Sequence, residues 1–122
     1  AATAVLALLR GLDAGIPACA GSDFQPGPFA PLMGIQGMVT RTGWNGETWG
    51  PEQKVSVAEA IRINTANGAH ASFEETRKGS ITAGKLADYV MLADDPAQVD
   101  PSRIKDITIV ETVCGGRTTW RA

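Results

Sequence analysis

The chain has 122 residues, of which 43% are hydrophobic and 20% are charged, and its formal net charge is −2 at pH 7. This composition is typical of a soluble globular protein of about one domain. It lacks the clustered Lys and Arg that nucleic acids and anionic membrane surfaces attract, and no apolar run reaches the ~18 residues of a membrane span. We therefore expect neither a nucleic-acid partner nor a membrane association.

Two further features concern the compartment. Residues 1–15 include Arg10 and Asp13 and have no basic leader, which argues against a signal peptide. The two cysteines, Cys19 and Cys114, lie far apart and form no C-x-x-C pattern, so neither a zinc–thiolate site nor a disulfide framework is predicted. We expect both to be reduced, buried thiols, and the protein to be cytoplasmic.

The first predicted elements are a helix and a buried strand. Apolar side chains at helical spacing predict a helix from Ala4 to Ala14, and Gly15 stands where a C-terminal cap belongs. Ile16 to Ala20 is apolar at every position, which is typical of a strand buried on both faces of a parallel sheet. This strand runs into Gly21-Ser22-Asp23 and so ends on a carboxylate.

The middle of the chain predicts two more helices. A proline-rich loop from Phe24 to Pro31 precedes a helix from Leu32 to Thr42, and the stretch from Gly43 to Pro51 is turn-rich. Ser56-Val57-Ala58-Glu59 matches a capping box, S-x-x-E, and predicts a helix from Val57 to about Ala66. Asn67-Gly68 should break this helix, and Asn67 is a candidate cap for a short further turn through Phe73.

The last third of the sequence predicts short β-strands. Tyr89 to Leu92 is a strand signal, and Asp94-Asp95-Pro96 after it is more simply a turn than a pair of catalytic carboxylates. Ile104 to Val113 is rich in β-branched residues. Gly115-Gly116 separates it from Arg117–Trp120, which predicts a hairpin with a two-residue turn.

Three stretches together resemble a known family. They are "AGSDF" at residues 20–24, "SVAEAIRINTANGAHAS" at 56–72, and "KGSITAGKLADYVMLADDP" at 78–96 followed by "IVETVCGGRTTW". In this order they resemble the C-terminal part of a metal-dependent amidohydrolase of amidohydrolase family 3. This branch includes D-aminoacylase-like and N-substituted formamide deformylase-like hydrolases. The resemblance covers essentially the whole chain.

The resemblance implies a fold of class α/β plus β. Residues 1–75 would be the last helix-strand-helix elements of a (β/α)₈ barrel, and residues 76–122 would be the C-terminal share of a small β-sandwich. Ile16 to Asp23 would correspond to the eighth barrel strand, and the helix from Val57 to Ala66 would close the barrel. Trp44 and Trp49 would either line the substrate mouth or pack on the barrel helices.

The resemblance also implies a role for Asp23. Strands of such barrels end at the active site, and the family aspartate at the end of the eighth strand binds the metal and accepts a proton from the water that the metal activates. A carboxylate suits both tasks, and zinc is the expected divalent metal. The implied reaction is hydrolysis of an amide-type C–N bond in a small molecule. The alternative for Asp23 is a turn or cap after a strand.

The family's other metal ligands have no counterpart here. His70 is the only histidine, matches no family ligand, and is expected to be a partly buried structural residue. One carboxylate cannot hold a catalytic zinc, which needs about three protein ligands. We therefore expect the 122 residues alone to be inactive and to bind no metal, and to self-associate as a homo-oligomer through unpaired strand edges. The alternative function is a non-catalytic structural or oligomerisation module.

Overall fold

The structure is a computed structural model that describes residues 8–25, 28–43 and 45–122. Its regular elements are four helices and three strands: α1 (Leu8–Asp13), α2 (Pro31–Thr40), α3 (Val57–Asn64), α4 (Ala66–Ala71), β1 (Tyr89–Leu92), β2 (Ile109–Cys114) and β3 (Arg117–Arg121). Two 3-10 helices, Pro51–Gln53 and Pro101–Asp106, join them. The start of the first predicted helix, at Ala4, lies outside the described residues. None of the described helices is long and apolar enough to cross a bilayer.

The end of α1 confirms the predicted glycine cap. Gly15 has a left-handed φ of 74°. Its backbone N–H donates to the carbonyl of Leu12 at 2.9 Å, and that of Ile16 donates to Gly11 at 2.9 Å. This pair of bonds is a Schellman motif, in which glycine supplies the left-handed residue without a Cβ penalty.

The predicted buried strand from Ile16 to Ala20 is wrong as a description of this structure. The segment has no strand assignment, and only Ala18 within it is partly buried, while Ile16 is 58% exposed. A strand exists only through ladder hydrogen bonds to neighbours. The described part of the chain supplies no strand beside this segment. Without a neighbouring strand in the described part of the chain, Ile16 to Ala20 is an exposed, irregular segment in spite of its apolar sequence.

Helix α2 begins one residue earlier and ends two residues earlier than predicted. Pro31 occupies a first-turn position, where its missing N–H costs no hydrogen bond. Arg41 stops the helix, because its backbone is left-handed at φ 60° and its N–H donates to the Gly37 carbonyl at 2.9 Å.

The capping box is confirmed at the start of α3. The Ser56 hydroxyl accepts from the Glu59 N–H, and the Glu59 carboxylate accepts from the Ser56 N–H at 2.7 Å. The Ser56 hydroxyl also donates to the Glu59 carboxylate at 2.7 Å. This bond, and then the bond from the Ser56 N–H, hold the pKa of Glu59 below its usual value. The predicted break at Asn67-Gly68 is wrong: the interruption falls at Thr65, and Asn67 lies inside α4. Thr65 separates the two helices, and α4 combines three alanines, which favour helix, with Asn67, Gly68 and His70, which do not.

The strands form one antiparallel sheet in the order β1-β2-β3. The predicted hairpin between β2 and β3 is confirmed, and its two turn glycines, Gly115 and Gly116, both have positive φ, as a type I′ turn requires. The strand signal from Ile104 onward is only partly right. Ile104 belongs to the 3-10 helix Pro101–Asp106, which Asp100 caps by accepting from the Ser102 N–H at 2.8 Å.

The core lies between α2, α3 and the 3-10 helix Pro101–Asp106. The Lys105 N–H donates to the Gln36 side-chain oxygen at 3.0 Å and joins that 3-10 helix to α2. The buried apolar cluster contains Ile35, Met38, Val55, Ala60, Ile63, Ile104 and Ile107. One face of the sheet is exposed, with Val90, Thr112 and Trp120 side by side across the three strands.

Candidate functional site

Asp23 lies at the end of the irregular segment 16–23 and at the start of a loop. Its backbone has a left-handed φ of 49°, and the residue is exposed. Beyond it, the rings of Phe24 and Phe29 meet edge to face with their centroids 5.4 Å apart. This contact brings the two ends of the loop together, so the carboxylate stands beside a loop that an aromatic pair closes.

One side chain ties the segment before Asp23 to a distant helix. The Asn67 Nδ2 on α4 donates a hydrogen bond of 2.7 Å to the Ala18 carbonyl. Asn67 is 5% exposed. Sequence reasoning missed this contact, because Asn67-Gly68 has the composition of a helix breaker and no local pattern reports a partner 49 positions away.

The Asp23 carboxylate forms no hydrogen bond or ion pair within the described part of the chain. Both of its oxygens are therefore free of described partners, and a carboxylate of this kind is a suitable hard ligand for a divalent cation. The described residues contain no group of three or more His, Cys, Asp and Glu side chains that could hold a metal. They supply one candidate ligand, which does not by itself make a zinc site.

His70 does not join Asp23 in a ligand pair. Its Nδ1 lies 3.4 Å from the Glu75 Oε1, and its side chain is 49% exposed. The expectation of a structural role is compatible with this local contact. The expectation of partial burial is wrong, because α4 is short and His70 lies on its outer face.

A cleft near the sheet gathers Asp94, Asp100, Asp106 and Arg103. Two of its carboxylates have local structural roles. Asp100 accepts from the Ser102 hydroxyl and from the Ser102 N–H, and these bonds, the hydroxyl first, hold the pKa of Asp100 below its usual value. Asp106 pairs with Lys105 at 2.6 Å. Beside the cleft, Asp95 accepts from the Ala97 N–H at 2.9 Å, so the interpretation of Asp94-Asp95 as a turn is confirmed.

The remaining sequence candidates lie at the surface. Cys19 and Cys114 are free, but the expectation that they are buried is wrong, since both are exposed. Cys19 lies in the irregular segment, and Cys114 ends β2 beside the hairpin turn. Trp49 is 53% exposed and its backbone is held by Arg41, whose Nε donates to the Trp49 carbonyl at 3.0 Å. Trp44 lies outside the described residues.

Comparison with known proteins gives a consistent result. A family model described as "Amidohydrolase family" matches residues 1–120. The Bacillus subtilis (strain 168) protein named as the amidohydrolase YtcJ is 32% identical over 112 residues, which are 89% of this chain and 21% of that protein. The N-substituted formamide deformylase of Arthrobacter pascens is 32% identical over 105 residues, which are 86% of this chain and 19% of that protein.

A third relative carries a different activity name. The imidazolonepropionase of Kosmotoga olearia is 30% identical over 112 residues, which are 89% of this chain and 25% of that protein. The chain thus spans 19% to 25% of the length of these curated relatives. No solved structure matches the chain.

Proposed function

Because the chain belongs to the amidohydrolase family, we propose that it is the C-terminal part of a metal-dependent hydrolase that cleaves an amide-type C–N bond of a small molecule. The name of the Arthrobacter pascens relative, a deformylase of N-substituted formamides, supports this reaction class. The observation that carries the proposal is Asp23, an exposed carboxylate without a described partner at the end of the segment 16–23.

In this proposal the irregular segment is a barrel strand in the full-length protein. Residues 16–23 take the place of the eighth strand of a (β/α)₈ barrel, whose other strands supply the ladder partners. Residues 1–75 then belong to the barrel, and residues 76–122 to a small β-sandwich. The apolar composition of Ile16 to Ala20 supports this arrangement, because burial on both faces would remove that apolar surface from water.

Asp23 is, in this proposal, one ligand of a divalent metal, with zinc as the expected ion. The other ligands come from parts of the protein beyond these 122 residues, since the described residues contain no group of three side chains that could hold a metal. A bound divalent metal lowers the pKa of a water molecule toward ~7 and polarises the scissile carbonyl. The donor chemistry of Asp23 fits this role.

The Asp23 carboxylate also carries the proton. It accepts one proton from the attacking water while the water oxygen bonds to the carbonyl carbon. It then delivers this proton to the amine nitrogen as the C–N bond breaks, so that the products are a carboxylic acid and an amine. A carboxylate with no described hydrogen-bond partner is free to turn from the water to the leaving nitrogen.

The test uses the full-length protein with N-formyl and N-acyl amines as substrates. We expect hydrolysis that a chelator such as 1,10-phenanthroline abolishes and that added Zn²⁺ restores. The matched control is the same dilution and dialysis without chelator, which should leave turnover unchanged. Hydrolysis that persists in fully metal-depleted protein, or a metal-loaded protein that cleaves none of these substrates, would overturn the proposal.

A second candidate function is a non-catalytic structural or oligomerisation module. The exposed sheet face with Val90 and Trp120 favours it. An intact-mass measurement on the protein from its source separates the two. A product of 12.8 kDa would favour the module, and a product several times larger would favour the hydrolase.

A further inference from the structure

We infer that Asn67 is a positioning residue that fixes the backbone leading to Asp23. The inference rests on the proposed function only in giving Asp23 a catalytic task, since the contact itself is independent of that task. Asn67 is buried on α4, and its Nδ2 donates to the Ala18 carbonyl at 2.7 Å. Ala18 lies five residues before Asp23 on the same irregular segment.

This bond is distinctive because almost no other hydrogen bond of the described residues involves the segment. Within the described part of the chain, it is the only hydrogen bond that joins residues 17–25 to another element; the other backbone bond there, Ala18 N–H to the Ile16 carbonyl at 2.8 Å, is local. A buried amide that loses its partner is costly, and a backbone carbonyl is an obligatory acceptor. The Asn67 amide and the Ala18 carbonyl therefore satisfy each other and tie the segment to α4, in addition to the ladder bonds that the proposed barrel would supply in the full-length protein.

Helix α4 is itself held by a glycine of the "KGSITAGK" stretch. A Cβ built at Gly79 would lie 2.6 Å from the Ala69 Cβ and 3.1 Å from the Ala66 Cα. Gly79 thus lies directly against the helix that carries Asn67, and its φ of 89° leaves the chain free to make this approach. The Gly79 contact, α4 and Asn67 form one continuous path from the start of the "GSI" motif to the Ala18 carbonyl.

A purely structural asparagine offers an internal control. Asn64 on α3 makes the same kind of bond, because its Nδ2 donates to the Ala60 carbonyl at 2.8 Å, but donor and acceptor belong to one helix. Replacing Asn64 removes an amide–carbonyl bond without touching the segment 16–23. A comparison of Asn67→Ala with Asn64→Ala therefore separates positioning of Asp23 from loss of a helical hydrogen bond.

The first measurement is hydrogen–deuterium exchange in the full-length protein, followed in the peptides that cover residues 16–25. For Asn67→Ala we expect exchange in these peptides to accelerate about five-fold or more, which corresponds to one lost hydrogen bond. Asn64→Ala should leave these peptides unchanged. Should Asn67→Ala not fold, Asn67→Asp keeps the side-chain shape and, when ionised, removes the donor, so it tests the same bond.

The second measurement is steady-state kinetics with the same variants. Asn67→Ala should lower kcat by about ten- to a hundred-fold, the usual cost of misplacing a catalytic group, with little change in KM. Unchanged exchange at residues 16–25 in a folded Asn67 variant overturns the inference, whatever the activity. Equal loss of kcat in the Asn64 and Asn67 variants also overturns it. Failure of the proposed function would appear separately, as accelerated exchange in Asn67→Ala with no metal-dependent hydrolysis in the unmodified protein.

Discussion

The backbone conformation of Asp23 bears on the choice between its two proposed roles, a catalytic carboxylate and a turn or cap residue. Its φ of 49° is a left-handed conformation that Asp tolerates better than most non-glycine residues, because its short side chain bonds to nearby backbone. Asp95 shows such a bond, to the Ala97 N–H. Asp23 makes none within the described residues. The described residues therefore give Asp23 no local bond of the kind that a capping role needs, and its catalytic role stays a prediction.

Glu111 gives a prediction about pH. This buried carboxylate on β2 accepts hydrogen bonds from the Thr118 hydroxyl and, at 2.7 Å, from the Arg121 guanidinium. These partners, Thr118 first, hold the pKa of Glu111 below its usual 4.5. A pKa lowered by folding stabilises the folded state above pH 4.5 and loses that contribution as pH falls through the lower, folded value.

We therefore expect Glu111→Gln to lower the free energy of unfolding at pH 7. Below about pH 4, the variant and the unmodified protein should have nearly the same free energy of unfolding. Urea denaturation between pH 3 and pH 7 measures this difference. Glu52→Gln, at an exposed position, is the control. Its difference in free energy of unfolding from the unmodified protein should not change with pH. A difference for Glu111→Gln that stays constant over the whole pH range would show that the carboxylate charge plays no part.

At the residue scale, the local features were predictable. The Gly15 cap, the Ser56–Glu59 capping box and the Asp94-Asp95 turn each depend on neighbours within a few positions, and all three are confirmed. The contact between Asn67 and Ala18 and the exposure of the two cysteines depend on residues far along the chain. Propensity and periodicity carry no information about such distant partners.

At the scale of elements, Gly79 and Gly84 form a matched pair. Both have φ near +90°, but only a Cβ at Gly79 meets another element, and one at Gly84 meets nothing within 4 Å. Gly84→Ala should cost about 1–2 kcal/mol from backbone strain alone. Gly79→Ala should cost about 1–3 kcal/mol more, since α4 must move to admit the methyl group.

Thermal or urea denaturation of the two glycine variants measures both costs. The informative quantity is the difference between the two variants, because the backbone strain is common to both. Equal destabilisation would mean that α4 yields freely to the added methyl group. It would also remove Gly79 from the path that holds Asn67.

The helices and the hairpin could be predicted to within a few residues, whereas the strand predicted at Ile16–Ala20 is not present in the structure. Helices α2 and α3 satisfy their backbone hydrogen bonds internally, and their apolar faces form the core with the 3-10 helix Pro101–Asp106. The apolar pattern of Ile16–Ala20 indicates a segment that favours burial, but it does not indicate which strands would lie beside it. A barrel strand needs hydrogen-bonded partners on both edges. Whether this segment forms a strand therefore depends on other segments, which its own sequence does not describe.

At the scale of the whole molecule, the exposed apolar surface leads to a prediction of self-association for the 122-residue chain. Val90, Trp120, Phe73 and Ile81 are all at least 49% exposed, and β1 and β3 are both edge strands of the sheet. Such edges and patches pair readily with other chains. Light scattering at micromolar concentration should report a species larger than 12.8 kDa, and a clean monomer would contradict the prediction.

The family could be recognised from the sequence, and residues 1–120 match the amidohydrolase model. The barrel, the sandwich and the division near residue 75 stay predictions. The described residues form one three-stranded sheet and short helices around a single small core. The three strands of the described residues are too few to close a barrel, and the chain spans only about a fifth of these relatives.

The central claim is that the Asp23 carboxylate performs the proton transfer of a C–N hydrolase. The most direct test measures kcat/KM of the full-length protein with Asp23→Asn, beside Asp95→Asn as the control. Asn keeps the shape of Asp but is not a base, so the account predicts a loss of about 10²–10⁴-fold or more. The Asp95 variant, whose side chain serves only a turn, should stay within a few-fold. An Asp23→Asn protein with turnover as high as the Asp95 control would contradict the account.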